Sequence, residues 1–254
     1  MHIRLDQIWP RAAERAVELL PPGALTTPWA RLAAAELPPG AIGPSPRGEV
    51  VGVLLSGKVE WGSDGVDGPA AAPAVRVGGD VAGAPPRNPG PAPARLLVAA
   101  VELPAGASPR PAALQAVDEA ALEWREAIHG GAGRLATRHL WRPEDFASSW
   151  TFVDHAVLGP GASVGYHYHD ALEEAFAVLA GQGYMTVADQ TFEVGPGSVT
   201  YQGIGQGHGI YNPGPDNLAF IRLAVALPDE VYTTIDLHDD LRRRRPDPGT
   251  GGSP

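Results

Sequence analysis

The sequence predicts a mainly β protein made of two copies of one β domain, with a few helices at their flanks. Two observations carry this. Apolar runs of strand length recur between Pro/Gly-rich turns, RLLVAAVELP at 95–104 and FIRLAVALPD at 220–229 among them. Four segments of the first half also return, in the same order, in the second. PPGAIGPSPRGEVVGVLLSGKVEW runs parallel to GPGASVGYHYHDALEEAFAVLAGQGYMTV, and VGGDV at 77–81 echoes VGPGSV at 194–199. NPGP occurs at 88–91 and again at 212–215, and the two apolar strands close the copies.

Taken in order, residues 1–107 make the first copy. Its leading segment, 6–20, carries Pro10 near a helix start and Ala13, Ala16, Leu19 and Leu20 on one face, stopped by Pro21-Pro22. From Leu32 strands alternate with Pro/Gly loops, while the Ala/Pro/Gly tract 62–94 reads partly as long loops. Residues 108–133 read as a linker helix, because Leu114, Val117, Ala121, Trp124 and Ile128 fall at steps of three and four and Gly130-Gly131 would end it. His129, at that end, would meet the helix dipole. Residues 134–238 form the second copy. In its strand WTFVDHAVL, Trp150, Phe152 and Asp154 share one face and Val153, His155 and Val157 the other, with the inward face left open. Residues 239–254, a charge run and then low complexity, read as a flexible tail.

The second copy holds the chemistry. His167 and His169 lie two apart on a predicted strand, so both rings point the same way. Glu174 follows, and His208 comes from a later strand. Imidazoles with a carboxylate suit iron, manganese, zinc and neighbouring metals. The two halves of this stretch resemble the two cupin motifs, G-x5-H-x-H-x(3,4)-E-x6-G and G-x5-P-x-G-x2-H-x3-N. Gly161, His167, His169, Glu174 and Gly181 match the first; Gly197, Gly205, His208 and Asn212 match the second, with Gly203 where the motif has proline. The resemblance implies two cupin barrels of the jelly-roll type, a bicupin. It also implies one divalent metal ion, Fe(II), Mn(II) or Zn(II), inside the second barrel on His167, His169, Glu174 and His208. The neighbouring Glu173 would point to the opposite face.

Opposite these ligands the first copy offers Gly, Pro, Ser and Arg, with Glu49 the one carboxylate nearby, so no metal is expected there. Tyr184, Tyr201 and Gln206 are candidates to line the substrate cavity. Tyr166 and Tyr168 are out of phase with the ligands, and Asn212 is expected to secure the turn before Pro213. Arg222, odd in an apolar strand, either anchors a substrate carboxylate or points to solvent.

Composition removes several classes. A net charge of −10 argues against nucleic acid as a partner. No cysteine is present, which excludes thiolate chemistry and disulfides. No signal core or membrane-length apolar run is visible, so a cytoplasmic location is expected. The resemblance therefore implies a metal-dependent enzyme on a small polar metabolite. Its reaction would be dioxygenase-like or a redox-neutral rearrangement or lyase step of specialised metabolism, N–N bond formation included. The alternative is a non-catalytic binding or sensing cupin. Pairing as a homodimer is the family habit.

Overall fold

The computed structural model describes residues 1–12, 16–21, 23–44, 46–61, 69–78, 85–110, 113–126 and 128–246. The chain divides into two compact units that exchange segments. Leu5–Val117 and Arg142–Trp150 form the N-terminal unit; Met1–Arg4, Asp118–Trp141 and Thr151–Pro254 form the C-terminal one. Strand β1 (His2–Arg4) thus belongs to the C-terminal unit.

The N-terminal unit contains β2 (Val17–Glu18), β3 (Trp29–Leu37), β4 (Glu49–Ser56), β5 (Lys58–Glu60), β6 (Pro69–Ala71), β7 (Ala74–Gly78), β8 (Ala94–Val101) and β9 (Ala113–Ala116). Six of them form one sheet in the order β2-β3-β8-β4-β7-β9, and β5 pairs with β6. Ala35, Leu37, Leu54, Leu96 and Val98 lie on one face of the large sheet and meet Val59, Trp61 and Ala70 in a single apolar core.

The C-terminal unit adds β10 (Glu123–Glu126), β11 (Arg134–Trp141), β12 (Trp150–Leu158), β13 (Ser163–His169), β14 (Leu172–Ala180), β15 (Gly183–Val187), β16 (Gln190–Val194), β17 (Ser198–Gln202), β18 (His208–Tyr211), β19 (Leu218–Ala226) and β20 (Thr234–Asp236). One sheet runs β1-β17-β14-β19-β12-β11-β10, the other β16-β15-β18-β13-β20. Residues two apart on each strand supply the shared interior: Leu135, Ala156, Leu158, Phe176, Val178 and Phe220 from the first sheet, Met185, Val187, Phe192 and Ile210 from the second. This is the jelly-roll arrangement expected for a barrel of two packed sheets.

The repeated NPGP turns are the same device twice. The Asn212 amide donates to the carbonyls of Leu158, Gly159 and Asp216 and accepts from Gly214 N. Asn88 donates to Leu37 and Ala92 and accepts from Gly90 N. Gly57 and Gly181 both sit at positive φ, where a Cβ would come within 2.7 Å of Pro93 O and 2.2 Å of Asn217 O.

Three expectations need correction. The linker helix over 108–133 does not form: its described residues hold β9, a 3-10 turn at Glu119–Ala121 and β10. The spacing misled because its apolar residues serve two cores. Leu114 packs on the N-terminal core from β9, whereas Leu122 packs with Ala136, Val157 and Ala219; edge pairing with β7 and β11 then outweighs helical propensity. The leading helix shrinks to one turn, Trp9–Ala12, followed by β2; Ala13 falls outside the described residues. The start of the tail is folded. Asp240 caps a 3-10 turn at Leu241–Arg243, and the Leu241 side chain is buried. Residues 247–254 lie outside the described residues, as do 62–68 and 79–84 of the Ala/Pro/Gly tract, whose remainder includes β6 and β7. Among the described residues no helix is long and apolar enough to cross a membrane.

Candidate metal centre

Alternation on β14, with Phe176 and Val178 in the core, puts Glu174 on the interior face and Glu173 behind it. On the facing sheet β13 pairs with β18, and a register shift between Val164 and His167 sets His167 directly opposite His208. His169 lies one pleat further along. All four side chains are buried, and one donor atom from each lies within 4.8 Å of the others. The ring centroids of His167 and His208 are 4.4 Å apart, and those of His169 and His208 5.4 Å.

Each imidazole is oriented by its Nδ1. That of His167 is bonded to Gly165 O at 2.8 Å, that of His208 to Gln206 O at 2.9 Å, and that of His169 to the Thr234 hydroxyl at 3.0 Å. A carbonyl only accepts, so His167 and His208 carry a proton on Nδ1, the arrangement that leaves Nε2 as the atom to ligate a metal ion. His208 Nε2 lies 2.9 Å and His169 Nε2 3.4 Å from Glu174 Oε2. Glu174 Oε1 and His169 Nε2 are buried without a hydrogen-bond partner. Orphaned buried donors and acceptors of this kind ask for an occupant.

The electrostatics match. Burial, then the neighbouring His208, pushes His167 down to about 2, so it is neutral. Burial alone would raise the Glu174 carboxyl; the facing His169 and His208 rings and the Arg222 charge override it and hold the group well below the usual carboxylate range. Neutral imidazoles and one carboxylate fit a divalent metal ion.

Of the other predicted site residues, Gln206 does belong to the site, as a support: its carbonyl orients His208 and its side-chain Oε1 accepts from Gly203 N. Tyr184 faces away, because Met185 and Val187 take the interior face of β15; its ring meets Tyr211 instead. Tyr201 stands opposite Ala175, out of phase with Glu174, and its hydroxyl bonds Glu173. Gln202, opposite Glu174, holds the interior position that Tyr201 was expected to fill. Arg222 does not reach solvent. It is paired with Phe176 across the sheet, and its Nη2 donates to Asp154 Oδ2 at 2.5 Å. Its Nη1 lies 4.0 Å from Glu174 Oε1, and its guanidinium sits 5.1 Å from the Phe152 ring centre. Asp154 in turn binds His139 Nδ1 at 2.5 Å.

His129 ends no helix. It adopts a φ of 56°, and its ring stacks on His167 at 4.2 Å with Nδ1 3.4 Å from Asp236 Oδ1. Sequence reading missed His129, His139, Asp154 and Thr234. The available signal was two opposite charges, Asp154 and Arg222, each alone in an apolar strand.

Residues 154–225 match the family model of the cupin domain. Over this stretch the chain is similar to a cupin domain. It carries both motifs on β13–β14 and β17–β18, with the four candidate ligands at their ends. An oxalate-binding protein of Thermotoga maritima is 28% identical over 100 residues, 39% of this chain and 83% of that protein. Two-barrel structures share the fold over most of the chain. A salicylate 1,2-dioxygenase from Pseudaminobacter salicylatoxidans aligns with a TM-score of 0.61 at 12% identity, covering 89% of this chain and 83% of the other. A variant of Bacillus subtilis oxalate decarboxylase aligns with a TM-score of 0.54 at 16% identity, over 92% and 79%. At these identities the likeness is one of fold.

Proposed function

We propose that this protein is a metal-dependent cupin enzyme with one active site, in the C-terminal barrel, acting on a small polar metabolite. The observation that carries this is the buried His167, His169, Glu174 and His208 cluster with orphaned inward-facing atoms. When bound, the divalent ion would polarise a substrate oxygen or bring two reactants together. The chain's own part is to hold neutral Nε2 atoms by fixing Nδ1, to keep Glu174 ionised, and to keep water out with the core below. Oxidative, dioxygenase-like chemistry and a redox-neutral rearrangement, N–N bond formation included, are both reactions that such an ion would support when held by these four residues. The similarity to an oxalate-binding protein and the fold shared with a salicylate dioxygenase support small organic acids as the first substrates to try.

Elemental analysis of protein purified without added metal, beside His208→Ala, tests the reading. About one equivalent of iron, manganese or zinc, lost in the variant, supports it, and oxygen uptake with organic acids then separates the two chemistries. Absence of metal after reconstitution would favour a non-catalytic binding cupin. A cytoplasmic location and homodimeric pairing belong to the same proposal.

A further inference from the structure

The two barrels are an internal control. Ala33 faces Val98 across the N-terminal sheet, four residues before the Leu37 carbonyl that Asn88 holds. Asp154 stands four residues before Leu158, whose carbonyl Asn212 holds, and meets Arg222. Glu174 pairs with Ala224 as Val50 pairs with Ala100. The same fold in the same chain is therefore built with Val50, Val98 and Ala33 where the C-terminal barrel has Glu174, Arg222 and Asp154. A buried ion pair seldom improves on apolar packing of similar shape, so the fold gives no reason for the second set.

We infer that the Asp154–Arg222 pair is a docking point for a monoanionic substrate, a carboxylate with an apolar body, beside the metal centre. This rests on the metal reading above. Arg222 Nε is buried and has no hydrogen-bond partner, while Nη2 is committed to Asp154. An unused charged donor on the interior face, 4.0 Å from the Glu174 carboxylate on its Nη1 side, wants an acceptor. Charge points the same way. A divalent ion and Arg222, set against Glu174 and Asp154 and three neutral imidazoles, leave one positive charge in a buried space, which one anionic group would cancel. The walls beyond it are apolar: Phe152, Leu172 and Ala224 pack together with Ala226 and Tyr232.

The test is calorimetric titration of benzoate and of benzamide, its neutral counterpart, into metal-loaded protein, with metal content measured on the same samples. Wild type should bind benzoate at least about tenfold more tightly than benzamide, as a charged hydrogen-bond pair requires. The double variant Asp154→Ala/Arg222→Val copies the N-terminal barrel and should keep its metal, yet lose that preference. If the double variant fails to fold, Arg222→Gln gives the same readout. Equal affinities in wild type, an undiminished preference in the variant, or loss of its metal would each overturn the docking point, the last by assigning the pair to support of Glu174. A wild type that takes up no metal refutes the proposed function as well, whereas metal without anion preference refutes the docking point alone.

Discussion

The N-terminal and C-terminal barrels share six strands of their large sheets, β10 being extra in the second, and differ in the smaller sheet. Order β9-β7-β4-β8-β3-β2 in one matches β1-β17-β14-β19-β12-β11 in the other. The difference lies where the histidines are. β13 and β18, which carry His167, His169 and His208, are represented among the described N-terminal residues by isolated bridges, Ile42 with Arg87 and Glu60 with Arg87. Glu49 pairs with Val101 as Glu173 pairs with Val225, so the surviving carboxylate is the one off the metal face. It is spent on structure: Ala147 N, Ser148 N, the Ser148 hydroxyl and Arg110 N all donate to it. Among the described residues the N-terminal barrel thus has the large sheet and the Asn-held turn without a four-residue cluster of this kind, so those turns serve the fold.

The comparison can be broken most decisively by metal stoichiometry. We expect about one ion per chain, not two, and none in His167→Ala, since three remaining donors with an unpaired buried carboxylate bind far more weakly; two ions per chain by elemental analysis would refute the division of labour. Next in size, Arg222→Met alone leaves the buried Asp154 with His139 as its remaining partner and should cost up to about 3–5 kcal/mol in urea unfolding. The added Asp154→Ala should recover most of that, as the apolar Ala33–Val98 pair implies.

Acid should act mainly on the C-terminal barrel. His167 and Glu174 both have folded values below their unfolded ones, so the unfolded chain binds more protons. Metal-free protein should therefore lose stability as pH falls below about 6.5, His167 first and Glu174 below the carboxylate range, by about 1.4 kcal/mol per pH unit for each proton. Unfolding midpoints of wild type and His167→Ala between pH 7 and 4 check this, with a shallower slope expected in the variant. Asn212→Ala and Asn88→Ala should each cost about 1–3 kcal/mol, similar in the two copies, by denaturant titration of each. Tyr184→Phe should change stability by less than about 0.5 kcal/mol and leave metal content alone.

How legible this was depended on whether a residue's partner lay close in sequence. The four candidate ligands that the fold brings together were readable from fixed spacing, and Glu174 was told from Glu173 by spacing to Gly181. The duplication was readable from its turns, and the Asn212 role from Pro213 beside it. Tyr184 and Tyr201 were misplaced because alternation gives two faces without saying which is inside; only register against Met185 or Glu174 decides. Asp154, Arg222 and His139 meet across three strands far apart in the chain, and no local pattern encodes that meeting. The run from Leu114 to Ile128 failed for the opposite reason, a good local pattern divided between two cores.

One strand has a consequence for how the molecule is made. β1 lies at the edge of the C-terminal sheet, where His2 pairs with Thr200 and Arg4 with Ser198. On the ribosome β1 emerges well before its partner and waits until β17 has been synthesised. A contact spanning so much chain closes late and at a high entropic cost, which puts it among the slow steps of folding. Residues 2–4 are thus among the last to find their place.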